Sequence, residues 1–240
     1  YGLLAEALKI APDYSAVTFR MDPDAHWNDG EPVTAQDVVW TFNKLIEVNP
    51  DRQQYYVNIE KAEVTAPGEV TFTFNQTDNR ELPLILGQLL VLPQHWWEGT
   101  DANGRQRDIA ESTLEPPLGS GPYELASFDA GRTITYKRVD DYWGANHPTQ
   151  VGQNNFDEYR IEYFLDLTVQ FEAFKGDQFD WWWENTARRW ATAYDFPAVT
   201  EGRVVRELFP QDYAGSGIGL GFVPNLRRKK FLDIRVREAL

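Results

Sequence analysis

Apolar and polar residues alternate in two short stretches of the first third of the chain. Residues 15–21 (SAVTFRM) and residues 69–75 (EVTFTFN) both place an apolar side chain at every second position, mostly with threonine or arginine between. A period of two is typical of a β-strand with one buried face. We therefore predict one half-buried strand in each stretch.

A turn and then a helix are predicted between these strands. Asn28-Asp29-Gly30 favours a turn, because these residue types tolerate the dihedral angles that turns need. Thr34 and Asp37 have the spacing of a capping box, with aspartate in place of the usual glutamate or glutamine. The helix should end at Asn49-Pro50. Its apolar face consists of Ala35, Val38, Val39, Phe42, Leu45 and Ile46.

The apolar segment that follows is ambiguous. Residues 82–97 (LPLILGQLLVLPQHWW) are apolar on both faces, so their periodicity does not decide between a buried strand and a short core helix. Residues 98–117 are polar and contain Gly99, Gly104 and Pro116-Pro117. This composition predicts a loop or a crossing between lobes.

Two further alternating runs predict a β-hairpin. They are residues 122–128 (PYELASF) and 132–138 (RTITYKR), and Asp129-Ala130-Gly131 joins them. A turn that contains glycine between two such runs is a hairpin signal. The residues before the hairpin, Gly119-Ser120-Gly121-Pro122, combine glycines that allow unusual dihedral angles with a proline that fixes φ.

The region after residue 157 predicts a helix that connects two parallel strands. Strand 158–164, helix 167–175 and strand 178–183 follow one another, and Gly176 ends the helix. A succession of this length suits a right-handed βαβ unit. The elements predicted beyond it are a helix at 185–194, a strand at 203–209 and a final helix within 233–240 that Asp233 caps.

Together these elements predict a mixed α/β protein. We expect residues 1–115 to form an α+β part, residues 116–210 an α/β part, and residues 211–240 the beginning of a further body. With 240 residues, of which 42% are apolar, the chain is long enough for one large domain or two lobes.

The charge and the apolar content restrict the partners. A formal net charge of −14 repels nucleic acids and anionic membrane surfaces, so we expect neither as a partner. We interpret the short basic run Arg227–Lys230 as a solvated surface turn. The longest nearly apolar stretch, residues 82–93, is shorter than the roughly 20 residues that span a bilayer, and we expect no membrane insertion of this segment.

The residue types give little support to metal or cofactor chemistry. The chain lacks cysteine, which excludes disulfides and thiolate metal sites. His26, His95 and His147 lie in different segments, and none has a metal-ligand partner at i+3 or i+4. Residues 215–221 (GSGIGLG) do not have the dinucleotide-binding spacing, and we predict a crossing strand there. We therefore predict no metal site and no cofactor.

A carbohydrate hydrolase is a minor alternative that the composition leaves open. The chain contains 37 aspartate and glutamate residues and 9 tryptophans. Glycoside hydrolysis needs two carboxyl groups about 5 to 10 Å apart across the sugar site. No pair stands out in the sequence, which does not show such distances.

Residues 180–190 (DWWWENTARRW) form the most unusual window of the chain. On a strand, Trp181 and Trp183 face one way, and Trp182 and Glu184 face the other. One face suits a core, and the other places a flat apolar surface beside a carboxylate where a strand ends. Ligands of open α/β sheets bind at such ends, and aromatic surface with a few polar groups suits a small-molecule or peptide cleft. The alternative is that all three tryptophans are core residues.

Four segments carry a resemblance to a known family. They are residues 18–43 (TFRMDPDAHWNDGEPVTAQDVVWTFN), 117–144 (PLGSGPYELASFDAGRTITYKRVDDYWG), 171–181 (FEAFKGDQFDW) and 222–240 (FVPNLRRKKFLDIRVREAL). In order and spacing they resemble the extracellular solute-binding proteins of bacterial ABC importers, in the oligopeptide- and dipeptide-binding family (family 5). Residues 185–207 are similar to the microcin C-type oligopeptide-binding branch. The chain departs from the family pattern at Ser120, Pro224 and Lys230.

The resemblance implies part of a periplasmic binding protein of type II, in which two lobes close on a ligand about a hinge. Residues 1–115 would be the small α+β subdomain of lobe one, residues 116–210 the α/β part of lobe one, and residues 211–240 the hinge and the start of lobe two. The chain begins at Tyr1 without a leader, and we expect a fragment. Because such a clamp buries its ligand between both lobes, this chain alone should bind peptide weakly or not at all.

The resemblance also implies a function, which is solute binding without enzymatic activity. The partners would be an oligopeptide in the inter-lobe cleft and ABC permease subunits in the inner membrane, and the location would be the periplasm. We predict Trp182, Trp183, Glu184 and Asn185 as ligand-binding residues, with tryptophan packing on the peptide and Glu184 receiving a cationic group. The Gly119–Pro122 motif should be architectural. The same scaffold also suits a non-peptide solute such as a sugar or a metal complex.

Overall fold

The structure is a computed structural model in which residues 2–208 and 223–239 are described. The chain divides into two units, Tyr1–Leu165 and Asp166–Leu240. The strands are β1 Ala5–Ile10, β2 Ala16–Met21, β3 Ile59–Ala66, β4 Glu69–Phe74, β5 Tyr123–Asp129, β6 Thr133–Arg138 and β7 Glu158–Glu162. The helices are α1 Ala35–Val48, α2 Pro50–Tyr55, α3 Leu82–Leu86, α4 Gln94–Trp97, α5 Leu167–Lys175, α6 Ala187–Thr192, α7 Pro197–Thr200 and α8 Ile234–Glu238, with a 3₁₀ turn at Lys229–Phe231.

An antiparallel sheet of four strands in the order β1-β2-β4-β3 forms the centre of the first unit. The alternation predicted for β2 and β4 is confirmed, because Val17, Val70 and Phe72 are buried on one face. On the other face, the hydroxyl groups of Thr18 and Thr71 lie 2.8 Å apart and share a hydrogen bond. The sequence did not lead us to predict the flanking strands β1 and β3.

Helix α1 packs on the buried face of this sheet. The predicted capping box is present, since the Thr34 side chain accepts from the Asp37 N–H and the Asp37 side chain accepts from the Thr34 N–H. Phe42 of the helix meets Phe72 of β4 edge to face, with ring centroids 5.5 Å apart. At Asn49 the helix gives way to α2, whose first N–H groups the Asn49 side chain caps.

The apolar segment 82–97 forms two short helices, α3 and α4, with a turn and irregular chain between them. Of the two alternatives, the core helix is therefore correct. Leu82 and Leu86, one helical turn apart, are both buried in the core of the first unit. The connecting chain is fixed by Thr41 of α1, whose hydroxyl group accepts from the N–H of Leu92 at 2.9 Å and lies 3.3 Å from its carbonyl oxygen.

A second antiparallel sheet of the first unit has the order β5-β6-β7. The predicted hairpin is confirmed, with Asp129 opposite Thr133 and Gly131 in the turn at a φ of 77°. Strand β7 also forms where it was predicted. It adds to the open side of β6, and the pairing is antiparallel.

Two predicted strands of the second unit are wrong. Residues 178–183 run without a ladder partner among the described residues, and residues 203–208 are irregular. A strand needs a neighbour for its backbone N–H and C=O groups, and no described strand pairs with either stretch. The parallel βαβ unit therefore does not form in the part of the chain that the structure describes. The predicted strand position Phe209 and residues 215–221 lie outside the described residues.

The predicted helices of the second unit are present. Helix α5 ends at Gly176 as expected, α6 is shorter than the predicted 185–194, and Asp233 caps α8 by accepting from the N–H of Arg235. Phe171, Phe174 and Tyr194 form a buried aromatic core, and Phe179, Trp182, Trp190 and Phe196 pack against it. Among the described residues, no helix has both the length and the apolar content to cross a membrane.

Candidate functional site

The two longest segments of the family resemblance meet inside the first unit. The N–H of Asn28 donates to the carbonyl oxygen of Gly119 at 2.8 Å. The indole N–H of Trp143 donates to the carbonyl oxygen of Ser120 at 2.9 Å. Trp27 is buried in the core, and Trp143 packs against that core. These contacts join the turn after β2, the loop before β5 and the residues after β6, as an architectural role for the motif requires.

Asp37 is a buried carboxylate with a second role, which the sequence did not reveal. Besides closing the capping box of α1, it accepts from the N–H of Gln94 at 2.9 Å. Because Gln94 is the first residue of α4, one side chain fixes the N-terminal ends of two helices. A contact over 57 positions leaves no periodic signal, so the sequence could show only the capping box.

A half-buried ion pair fixes the polar segment 98–117, and no pattern along the chain indicated it. Arg107 donates to both carboxylate oxygens of Glu115, at 2.8 and 2.6 Å. The guanidinium group also lies over the indole ring of Trp96, 4.0 Å from its centroid. The hydrogen bond from Arg107 lowers the pKa of Glu115 below its ordinary value. This geometry is that of a structural ion pair that holds the segment in place.

The three histidines each make a different hydrogen bond. His95 and Asp29 pair at 2.9 Å, His26 bonds the carbonyl oxygen of Trp27, and His147 bonds the hydroxyl group of Thr149. Within residues 2–208 and 223–239, no group of three or more histidine, aspartate or glutamate residues is arranged to hold a metal ion.

The tryptophan window of the second unit has the predicted alternation. Trp181 and Trp183 are 68% and 61% exposed, and their ring centroids lie 6.0 Å apart. Trp182 is half-buried and contacts Phe171 and Phe174 at centroid distances of 6.0 and 6.2 Å. The two faces of this extended segment therefore differ, with one tryptophan in the aromatic core and two outside it.

Glu184 lies on the buried face, with only 3% of its side chain exposed. Its Oε1 accepts from the N–H of Thr186 at 2.8 Å. Its Oε2 accepts from the indole N–H of Trp182 at 3.2 Å, from the hydroxyl group of Tyr194 at 3.1 Å and from Arg189 at 3.4 Å. We call Trp182, Glu184, Thr186, Arg189 and Tyr194 the Glu184 network.

The electrostatics of the Glu184 network keep the carboxylate ionised. Burial alone would raise the pKa of Glu184, but the hydrogen bonds from Thr186, Trp182 and Tyr194 and the charge of Arg189 outweigh it, so the pKa lies below its ordinary value. Burial and the adjacent carboxylate raise the pKa of Tyr194. A catalytic general acid needs the opposite shift, so Glu184 is not suited to the acid role in glycoside hydrolysis.

The four predicted ligand-binding residues thus divide into two pairs. Trp182 and Glu184 lie against the core of the second unit, and Trp183 and Asn185 are exposed. The exposed apolar surface is formed by Trp181 and Trp183, on the face opposite the carboxylate. Contact of these four residues with a ligand stays a prediction.

Comparison with known proteins points to one family. The family model described as "Bacterial extracellular solute-binding proteins, family 5 Middle" matches residues 1–240. "Uncharacterized protein y4wM" of Sinorhizobium fredii is 52% identical over the whole chain, which covers 36% of that protein. "Probable peptide-binding protein YejA" of Agrobacterium fabrum is 49% identical over the whole chain, which covers 39% of it. "Peptidoglycan-binding protein YepA" of the same organism is 38% identical, again over the whole chain and 39% of its own length.

Solved structures show a similar fold. A Thermotoga maritima structure titled as a mannohexaose-bound periplasmic oligopeptide-binding protein has a TM-score of 0.63 at 22% identity, over 80% of this chain and 34% of that one. The ABC transporter substrate-binding protein CtaP of Listeria monocytogenes has a TM-score of 0.61 at 24% identity, over 74% of this chain and 35% of that one. The chain thus spans between a third and two fifths of the length of the proteins that it matches.

Proposed function

The chain belongs to the bacterial extracellular solute-binding proteins of family 5, and on that premise we propose that the whole protein is the periplasmic substrate-binding component of an ABC importer. It binds an oligopeptide in a cleft between two lobes and delivers it to permease subunits in the inner membrane. The observation that carries the proposal is the family match over all 240 residues. A relative 49% identical, named as a peptide-binding protein, supports a peptide as the solute.

We assign the parts of the chain to this architecture as follows. Residues 1–115 are the small subdomain of lobe one, residues 116–210 its α/β part, and residues 211–240 the hinge and the start of lobe two. The internal hydrogen bonds of the Gly119–Ser120 motif support its place in the framework of lobe one.

The solute contact that we propose for this chain lies at residues 182–185. The exposed side chains of Trp183 and Asn185 touch the solute, and Trp182 and Glu184 hold the segment from behind. A large indole surface beside a side-chain amide supplies both apolar contact and hydrogen bonds, which suits a peptide backbone and its side chains.

A non-peptide or mixed solute is the second candidate. One relative is named as a peptidoglycan-binding protein, and one structure of the same fold is titled with bound mannohexaose. The exposed rings of Trp181 and Trp183 also suit the apolar face of a sugar ring. This candidate differs from the first only in the solute, because both require a binding protein without covalent chemistry.

Retention of solutes by the full-length protein tests the proposal. The protein is incubated with a mixed peptide library and, separately, with soluble peptidoglycan fragments, and mass spectrometry identifies the retained molecules. Retained, uncleaved oligopeptides are the expected result. Retention of sugar-containing fragments alone would favour the second candidate, and cleaved products would contradict both. Calorimetry of Trp182→Ala and Trp183→Ala with a retained peptide then tests the site, and unchanged affinity would remove either residue from it.

A further inference from the structure

We propose that Glu184 is a positioning residue that fixes the segment 182–186 and does not receive a cationic group of the solute. As far as it concerns the solute, this inference rests on the function proposed above. It changes the chemistry expected of the site, because an exposed glutamate beside tryptophan would select positively charged solutes, whereas a carboxylate with internal partners does not.

The hydrogen bonds of the carboxylate are the first argument. An ionised glutamate has about four lone-pair directions. Thr186 occupies Oε1, and Trp182, Tyr194 and Arg189 occupy Oε2, so four donors from the protein surround the group. One lone-pair direction of Oε1 has no donor among these four, but only 3% of the side chain is exposed. An ammonium group of a solute could therefore reach the carboxylate only if one of the surrounding groups moved.

The charge of Glu184 is also balanced from within. Arg189 pairs with Oε2 at 3.4 Å, and its own side chain is 20% exposed. The guanidinium group lies over the rings of Phe171 and Trp182, at 5.0 and 5.7 Å from their centroids. Stacking of this kind holds an arginine in place. Release of the arginine in favour of a solute cation would break these contacts as well as the ion pair.

The network connects the site to both ends of helix α6. Thr186 is the residue directly before the helix, and Tyr194 is the second residue after it. Glu184 therefore links the start of the helix, the chain beyond its end and the indole ring of Trp182. Trp183 and Asn185 are the sequence neighbours of Glu184 and point to the exposed side, so their placement depends on the backbone that Glu184 holds.

The experiment uses the full-length protein with Glu184→Gln and Tyr194→Phe, and Glu201→Gln as a matched control. Glu201 lies in the same unit, and its carboxylate is exposed and pairs only with the nearby Arg203 in the hydrogen bonds and ion pairs of the described residues. The probes are trialanine and N-acetyl-trialanine, which share all groups except the terminal ammonium. Tyr194→Phe removes one donor and keeps the charge pair, so it tests the network even if Glu184→Gln folds poorly.

If Glu184 is a positioning residue, Glu184→Gln should weaken the affinity for both probes by the same factor. The factor should be about tenfold, for the loss of a charged hydrogen-bond acceptor. Tyr194→Phe should weaken the affinity for both probes by a smaller common factor, and Glu201→Gln should leave both affinities unchanged. A loss confined to trialanine, with N-acetyl-trialanine unaffected, would show that Glu184 meets the ammonium group and would overturn the inference.

A spectroscopic signal without solute separates this inference from the proposed function. The protein is labelled with 5-fluorotryptophan, and a Trp183→Phe variant assigns the ¹⁹F resonance of Trp183. Glu184→Gln and Tyr194→Phe should shift or broaden that resonance, and Glu201→Gln should not. An unchanged Trp183 signal in both network variants would overturn the positioning role. If the wild-type protein binds neither probe, peptide transport is in doubt, but the ¹⁹F result still decides the role of Glu184.

Discussion

At the scale of single residues, environment decides what a side chain can do. Alternation along residues 181–184 showed correctly that the side chains face two ways, but it did not show which face is buried. That the carboxylate of Glu184 has partners inside the protein could be recognised only once Tyr194 and Arg189 were placed beside it. Such partners lie up to ten positions away and follow no helical or strand period, so no local pattern predicts them.

Gly144 shows how a close approach constrains one position. A Cβ atom there would lie 2.5 Å from the hydroxyl oxygen of Tyr142, whose ring is buried. Gly144→Ala should therefore lower the free energy of unfolding by about 1 to 3 kcal/mol, the usual cost of overpacking. Gly121→Ala is the control, because a Cβ atom at Gly121 meets nothing within 4 Å. Urea unfolding of both variants measures the difference, and equal stability would contradict the close approach.

The pKa of Glu184 predicts a pH dependence of stability. The folded-state pKa of Glu184 lies below the value of about 4.3 for an unfolded chain. The ionised carboxylate therefore contributes fully to the stability of the fold above about pH 4.3. This contribution is lost as the pH falls through the folded-state pKa. The midpoints of urea unfolding for wild type and Glu184→Gln should thus differ most above about pH 5 and converge below pH 4. A constant difference across this range would contradict an ionised Glu184, and Glu201→Gln should follow the wild type.

At the scale of elements, the sequence predicted those whose periodicity and end signals agree. Strands β2, β4, β5 and β6 alternate cleanly, and α1 has both a capping box and an apolar face. Strands β1 (AEALKI) and β3 (IEKAEVTA) carry charged residues and were missed, because their pairing with β2 and β4 defines them. Residues 178–183 show the converse, since a strand-like sequence stays irregular where no described strand pairs with it.

The junction of α1 and α4 gives a prediction at this scale. Asp37→Ala would leave the N–H groups of Thr34 and Gln94 without their acceptor inside the protein. The free energy of unfolding should fall by about 1.5 to 3 kcal/mol, the range for hydrogen bonds to a charged group. Asp51→Ala, an exposed aspartate in the first turn of α2, is the control and should cost well under about 1 kcal/mol. Chemical denaturation measures the free energy of unfolding of both variants. Similar losses of stability in the two would show that the link to α4 contributes little.

At the scale of the whole molecule, the described residues account for part of a binding protein. The chain spans 36% of one relative and 39% of two others. Motif residues such as Trp27, Gly119 and Trp143 make contacts within the first unit, which explains why they indicated the family and not the solute. In the function that we propose, the solute depends on a few exposed side chains, and the sequence pattern of the scaffold does not specify them.

Calorimetric titration of the full-length protein and of the 240-residue chain with one retained oligopeptide tests the central claim most directly. If the solute is enclosed between two lobes, the full-length protein binds the peptide, and the 240-residue chain binds it at least about a hundredfold more weakly, a difference of roughly 2.7 kcal/mol. Equal affinity of the two proteins, or binding of peptide by neither, would contradict the account.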